Sequence, residues 1–138
     1  MATALHSVRQ AAVIPVRSGR LCLVMSSSGR RWVVPKGHIE PGQTAAEAAL
    51  QEAWEEAGLT GVLLREPLGS YLYEKCGRRY HVTVFLMEVT GVAEDWPERS
   101  LRGRRWLRPE RARVCVEEPG LRKLISRLAA ADAVDVPA

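Results

Sequence analysis

Glu52, Glu55 and Glu56 fall within five consecutive positions of an alanine-rich stretch, and their spacing decides what chemistry they can do together. On a helix of ~3.6 residues per turn, Glu56 lies at about +40° and Glu55 at about −60° from Glu52, so the three carboxylates share one face. Like charges three and four positions apart destabilise an isolated helix by ~0.2–0.5 kcal/mol per pair. These three also sit near its C-terminal end, where the macrodipole disfavours anions. A divalent cation reverses both penalties, because magnesium takes oxygen ligands and can be shared by carboxylates on adjacent turns. From the helix alone two readings stand, a metal site and an acidic face turned to solvent.

The elements that must position these residues are legible around them. Thr44 with Glu47 fits a capping box at the helix start, alanines carry the helix to Ala57, and Gly58 supplies the left-handed residue that ends it. Ala46, Ala49, Leu50, Ala53 and Ala57 occupy the neighbouring arc, at ~60–160°, and are expected to pack on a sheet. Residues 35–42 contain two prolines and two glycines and read as a structured loop. Upstream, residues 8–17 and 21–26 read as strands about a turn at Ser18 and Gly19, and residues 31–34 as a short strand. Downstream, residues 62–73 and 80–89 read as strands linked by a basic turn at 75–79. The second alternates Tyr80, Val82, Val84 and Leu86 with His81, Thr83, Phe85 and Met87. Residues 90–102 are expected as a loop and 104–107 as a short strand; Pro109 should open a short helix. Residues 117–130 suit an amphipathic helix with Leu121, Leu124, Ile125 and Leu128 on one face, and residues 131–138 should fray. Strands, helix, strands, helix imply a mixed sheet between helices, in the α/β or α+β class.

Composition narrows the classes. A chain of 138 residues, 46% hydrophobic and 26% charged, fits one folded domain over residues 1–138 and not a disordered segment. Its apolar runs are far shorter than the roughly 20 residues a bilayer span needs. The first ten residues carry no leader-like apolar run, so the expected setting is cytoplasmic. Cys22, Cys76 and Cys115 are widely spaced and form no Cys-x-x-Cys, as expected of reduced thiols and not of a zinc site. Charge is uneven: residues 37–59 hold five acids and no Lys or Arg, leaving 20 basic against 11 acidic residues elsewhere. A basic field around an acidic island suits the capture of a polyanion, and equally an ordinary solvated surface.

Residues 37–59 resemble the Nudix box, whose pattern is Gly, five residues, Glu, seven residues, then Arg-Glu-apolar-x-Glu-Glu-x-Gly-apolar. Gly37, Glu52, Ala53, Glu55, Glu56, Gly58 and Leu59 match at the required spacing. The resemblance implies an α/β/α sandwich with a mixed sheet and metal-dependent hydrolysis of a nucleoside diphosphate linked to another group. It implies a magnesium (or manganese) site at Glu52, Glu55 and Glu56 with Gly37, and Glu56 or Glu55 as the residue that orients or deprotonates water. Two positions depart from the pattern. Gln43 stands for the family's first Glu and Gln51 for its Arg, so the ionic brace between loop and helix becomes a pair of amides. Such amides can bond to each other or to loop backbone, more weakly than charged partners.

Phosphoryl transfer needs positioning and charge stabilisation, so cations should complete the site. Lys36, next to Gly37, is best placed, followed by Arg30, Arg31, Arg78 and Arg79, with His38 on the same loop. The stretch from Arg31 to His38 resembles both the diphosphoinositol polyphosphate phosphohydrolases and the diadenosine polyphosphate hydrolases. Residues 94–98 and 104–107 look like the first of these. Tyr71 and Tyr73 could stack on a base, against a plain packing role; Trp96 and Trp106 are expected in the core. Expected partners are therefore small polyphosphates, with the chain a monomer or homodimer and no membrane. Two alternatives stand beside this: a catalytically weak module that binds nucleotides or polyphosphates, motivated by Gln43 and Gln51, and a nucleoside triphosphate or RNA 5′-end pyrophosphohydrolase. No RNA-binding motif supports the last.

Overall fold

Alternation along the strands gives the sheet two apolar faces, and each face carries its own helical layer. The computed structural model describes residues 6–134. Strands β1 (His6–Arg17) and β7 (Arg78–Val92) run parallel at the centre of a mixed sheet, in register from Val8 opposite Tyr80 to Val16 opposite Glu88. β2 (Arg20–Met25) folds back on β1 through Ser18 and Gly19, both at positive φ (52° and 74°), as a two-residue hairpin turn requires. β3 (Trp32–Val33) and β8 (Arg104–Leu107) pair with β2, and β4 (Lys36–His38) with β1. β5 (Leu59–Leu63) and β6 (Gly69–Lys75) both pair antiparallel with β7.

Val13, Cys22, Val24, Phe85 and Met87 face α1 (Ala45–Ala57), packing on Ala49, Ala53 and Ala57. Ile14, Leu21, Leu23, Val82 and Val84 face the opposite way, toward α2 (Pro109–Cys115) and α3 (Pro119–Val134). Leu121 and Ile125 of α3 are fully buried there, each contributing ~1.5–3 kcal/mol relative to exposure. The expected α/β/α sandwich with a mixed sheet is the observed fold.

Several boundaries differ from the sequence reading. Residues 62–73 are not one strand: β5 starts at Leu59, and the edge breaks between Leu63 and Gly69. The Leu64 and Leu68 amides still donate to Leu86 and Val84 of β7, while Pro67 has no amide to offer the ladder. Part of the expected loop at 35–42 is a strand, because Lys36–His38 finds a free length of β1. β7 runs to Val92, inside the segment expected as loop, because Gly91 and Val92 pair with Thr60 and Leu59. The last helix begins at Pro119, not Glu117, as suits proline in a first turn, and it reaches Val134. The expectation for residues 135–138 lies outside the described residues.

Candidate active site

Helix α1 is fixed at both ends. The Glu47 amide donates to Thr44 Oγ1 (3.0 Å) and the Thr44 amide to Glu47 Oε1 (2.9 Å), completing the expected capping box. The Thr44 amide, and after it the Thr44 side chain, hold the Glu47 carboxyl below its ordinary range. At the other end Gly58 has φ 65°, and a Cβ there would lie 2.8 Å from the Trp96 ring, so both conformation and space require glycine. Trp96, expected in the core, is half-buried and spends its indole on the helix end, donating from Nε1 to the Glu56 carbonyl (3.0 Å). Arg104 stacks on its ring at 4.1 Å and donates to the Ala57 carbonyl at 2.7 Å. The helix has no basic residue in its own last turn, so Arg104 supplies from a distance the cation that its negative end favours. Trp106 is partly buried against the α1-side core, as expected.

The helix presents its carboxylates differently from a solvent-facing stripe. Ala48 and Glu56 are buried, at 2% and 5% exposure, whereas Leu50 is 39% exposed. The inward arc is thus rotated toward the glutamates, and Leu50, at the far border of the expected apolar arc (~160°), is left outside. Burial pushes the Glu56 carboxyl up to about 8; Arg102 opposes the rise, and Glu52 and Glu98 add to it. Glu52 is pushed up to about 7, again first by burial, then by Glu55 and Glu98. Gly37 lies against Glu52: a Cβ on it would come 2.1 Å from Glu52 Oε1. Only a glycine lets that carboxylate rest on the β4 backbone.

Two residues that the sequence reading left out belong to this cluster. Glu98 comes from the segment after β7; its amide donates to the Glu55 carbonyl (3.0 Å) and its carboxylate accepts from Arg102 Nε (2.7 Å). Arg102 also pairs with Glu56 at 3.7 Å and donates to the Met25 carbonyl at 3.0 Å. Their i,i+4 spacing was a signal, but nothing local showed that the segment folds over α1. Among the described residues no three acidic, histidine or cysteine side chains converge into a ready metal cluster. Glu55 turns to Gln51 and Glu56 to Arg102. The donor set nonetheless suits a hard cation, since carboxylate oxygens are its preferred ligands and the raised Glu52 and Glu56 gain most from one.

The amides replacing the ionic brace do bond to each other. Gln43 Nε2 donates to Gln51 Oε1 (2.7 Å), and Gln51 Nε2 to Glu55 Oε1 (3.0 Å). The Glu40 amide donates to Gln43 Oε1 (3.1 Å), which ties the loop backbone into the same relay.

Beside Glu56 opens a cavity of about 330 Å³ lined by Arg31, Lys36, Lys75, Arg102, Ser26 and His38, with Tyr73, Tyr80 and Cys76 among its other walls. Arg30 and Arg78 are exposed and line no part of it. Tyr73 lies flat on Tyr80 (4.6 Å, 6° between planes), is approached by the Lys36 ammonium at 5.0 Å, and donates its hydroxyl to Gln10 (2.8 Å). Tyr71 is buried at 4% exposure against α3, so its role is packing. Burial lowers the Lys36 ammonium from its ordinary range; Glu118 is the main opposing influence.

Residues 6–128 match the family model described as the NUDIX domain. The chain is 43% identical over 94 residues to "Nudix hydrolase 12, mitochondrial" of Arabidopsis thaliana, covering 62% of this chain and 46% of that one. It is 36% identical over 110 residues to "Diphosphoinositol polyphosphate phosphohydrolase 3-beta" of Bos taurus, covering 75% and 66%. The chain thus spans about half the length of the plant relatives it matches, 46% and 47% for two of them, and 66% of the bovine one. Among solved structures it is similar to a C. elegans Ap4A hydrolase binary complex (TM-score 0.71, 22% identity, 92% of this chain and 98% of that one). It is also similar to the E. coli ORF135 protein (TM-score 0.74, 21% identity, 97% and 96%). At such identities the structures establish the fold. The family match covers all of β1 to β8 and the helix that carries Glu52, Glu55 and Glu56, and the chain belongs to the NUDIX domain family.

Proposed function

We propose that the protein hydrolyses a diphosphate linkage with the help of magnesium or manganese, and that its substrates are diphosphoinositol polyphosphates. The observation that carries the reading is the shared cavity, in which buried Glu56 faces Arg31, Lys36, Lys75 and Arg102. Four cations beside a raised carboxylate suit a densely phosphorylated substrate held for attack by water. Glu52, Glu55 and Glu56, with Gly37 lying against Glu52, would hold the metal, and Glu98 stands next to them through its bond to the Glu55 carbonyl. Bound there, the cation supplies charge neutralisation and Lewis acidity. Glu56, on the cavity wall, is assigned to take the proton of the attacking water; Glu55, turned to Gln51, is the weaker candidate. Lys36 and Arg31 bind phosphate, the hydroxyls of Ser26 and Ser28 add donors, and exposed His38 stands at the mouth.

Inositol is favoured over adenine because the aromatic faces are already used. Tyr73 is covered by Tyr80 on one side and approached by Lys36, so among the described residues this ring offers no free face for a base to stack on. A weaker catalyst is the second reading, favoured by the neutral Gln43–Gln51 brace. Among the described residues no helix is long and apolar enough to cross a membrane, and the unpaired thiols of Cys22, Cys76 and Cys115 suit a reducing, cytoplasmic setting. The test is product release with magnesium present from diphosphoinositol polyphosphates, diadenosine polyphosphates, nucleoside triphosphates, ADP-ribose and 5′-triphosphate RNA. Diphosphoinositol substrates should show the highest kcat/KM. Preference for diadenosine polyphosphates would overturn the inositol assignment, and turnover of none would favour the weak-catalyst reading.

A further inference from the structure

The cavity's cations do not stand alone: two acids from the helical layer opposite α1 reach them. Glu117 and Glu118 immediately precede α3, where Pro119 starts the helix and keeps both outside it. Glu118 is buried, its side chain 8% exposed, and its Oε2 lies 3.8 Å from Lys36 Nζ. Its other carboxylate oxygen has no hydrogen-bond partner. The backbone around it is pinned, since the Arg122 amide donates to the Glu118 carbonyl (3.0 Å) and Arg122 Nε to the Val116 carbonyl (2.7 Å). Glu117 differs in every respect that governs mobility. Its side chain is 66% exposed and accepts one bond, from Arg31 Nη1 at 3.0 Å. A second open space of about 320 Å³ lies between Arg31, Tyr73, Lys75 and the two acids, adjoining the first cavity.

We propose that Glu117 and Glu118 set the cavity's affinity for polyphosphate, Glu118 as a fixed anchor for Lys36 and Glu117 as a displaceable counter-ion on Arg31. This rests on the polyphosphate reading of the cavity given above. A phosphate group offers Arg31 more charge and a bidentate partner, and replaces an exposed carboxylate easily. Glu118 cannot leave in the same way, because its departure would strand a buried ammonium and a buried carboxylate. Without Glu118, Lys36 keeps only the Tyr73 face and the charge of Glu56 across the cavity, and loses the carboxylate that fixes its ammonium at the wall. Removing one negative charge should therefore have opposite effects at two adjacent positions. Both acids are positioning residues.

The probe is inorganic tripolyphosphate, titrated calorimetrically into the full chain in EDTA at fixed ionic strength. Glu117→Gln should bind it about two- to fivefold more tightly, the range an exposed ion pair allows. Glu118→Gln should bind it about tenfold more weakly, as expected when a buried charged group loses its partner. Loss of packing alone does not tighten binding, so the opposed signs separate positioning from structural damage. Should Glu118→Gln fail to fold, Glu118→Asp, which keeps the charge and shortens its reach to Lys36, carries the anchor test and should bind more weakly than the parent. Unchanged or weaker binding by Glu117→Gln, with the parent binding normally, overturns the counter-ion role. Unchanged or tighter binding by Glu118→Gln, or by Glu118→Asp in its place, overturns the anchor. A parent chain that does not bind tripolyphosphate removes the polyphosphate reading, and this inference falls with it.

Discussion

Replacing Glu56 by Gln should stabilise the metal-free protein at pH 8, although the same change removes the carboxylate assigned to catalysis. Glu56 is 5% exposed, and burial, reinforced by Glu52 and Glu98 against Arg102, pushes its carboxyl from 4.5 up to about 8. Between those values the folded protein holds a proton that the unfolded chain has released, so stability falls as pH rises through this window. From pH 5 to pH 8 the linkage costs at most about 3–4 kcal/mol, and water entering from the open cavity reduces this to about 2 kcal/mol. Glutamine keeps the shape without the charge. Arg102 is not stranded by the change, since it retains Glu98 at 2.7 Å and the Met25 carbonyl at 3.0 Å. Glu56→Gln should thus be about 2 kcal/mol more stable than the parent at pH 8, a rise of roughly 5–10 °C in Tm, and within about 1 kcal/mol of it at pH 5. Urea unfolding followed by tryptophan fluorescence in EDTA at pH 5, 6.5 and 8 measures this directly. Excess magnesium should restore the parent's stability at pH 8, because ligation favours the ionised carboxylates, and should do less for the variant. A variant less stable than the parent at pH 8, or a difference that does not change with pH, would refute the reasoning.

Two further outcomes follow from the same geometry. Gly37→Ala places a methyl where Glu52 Oε1 now rests, but only a flexible side chain has to yield. Manganese affinity measured by electron paramagnetic resonance should fall at least about tenfold while Tm moves by only a few degrees; equal affinity would show that Glu52 does not need this cradle. Restoring charge to the brace with Gln43→Glu and Gln51→Arg together should raise kcat severalfold. Either change alone should do less, because the 2.7 Å bond from Gln43 Nε2 to Gln51 Oε1 becomes an ion pair only when both residues are changed. Additive effects of the two single changes would remove the brace from the mechanism.

Helix α1 could be read from the sequence because everything that defines it is local. Thr44 bonds to Glu47 three positions on, Gly58 ends the helix by its own φ, and helical geometry alone puts Glu52, Glu55 and Glu56 on one side. Strand alternation likewise foretold two apolar faces, with Val82 and Val84 on one and Phe85 and Met87 on the other. The edge break at residues 64–68 had a local sign in Pro67, but the pattern of apolar residues on either side obscured it. Tertiary packing decided the rest. Which arc of α1 turns inward depends on the sheet beneath it, and that packing buried Glu56 and left Leu50 outside. Tyr71 and Tyr73, alike on one strand, were separated in role by α3 on one and the cavity on the other. Arg102 and Glu98 reached the carboxylates only because their segment folds over the helix end. Glu117 meets Arg31 across 86 positions of sequence. Backbone geometry ties residues a turn apart and carries no information about such partners; they meet only when the sheet brings its two helical layers to the same cavity.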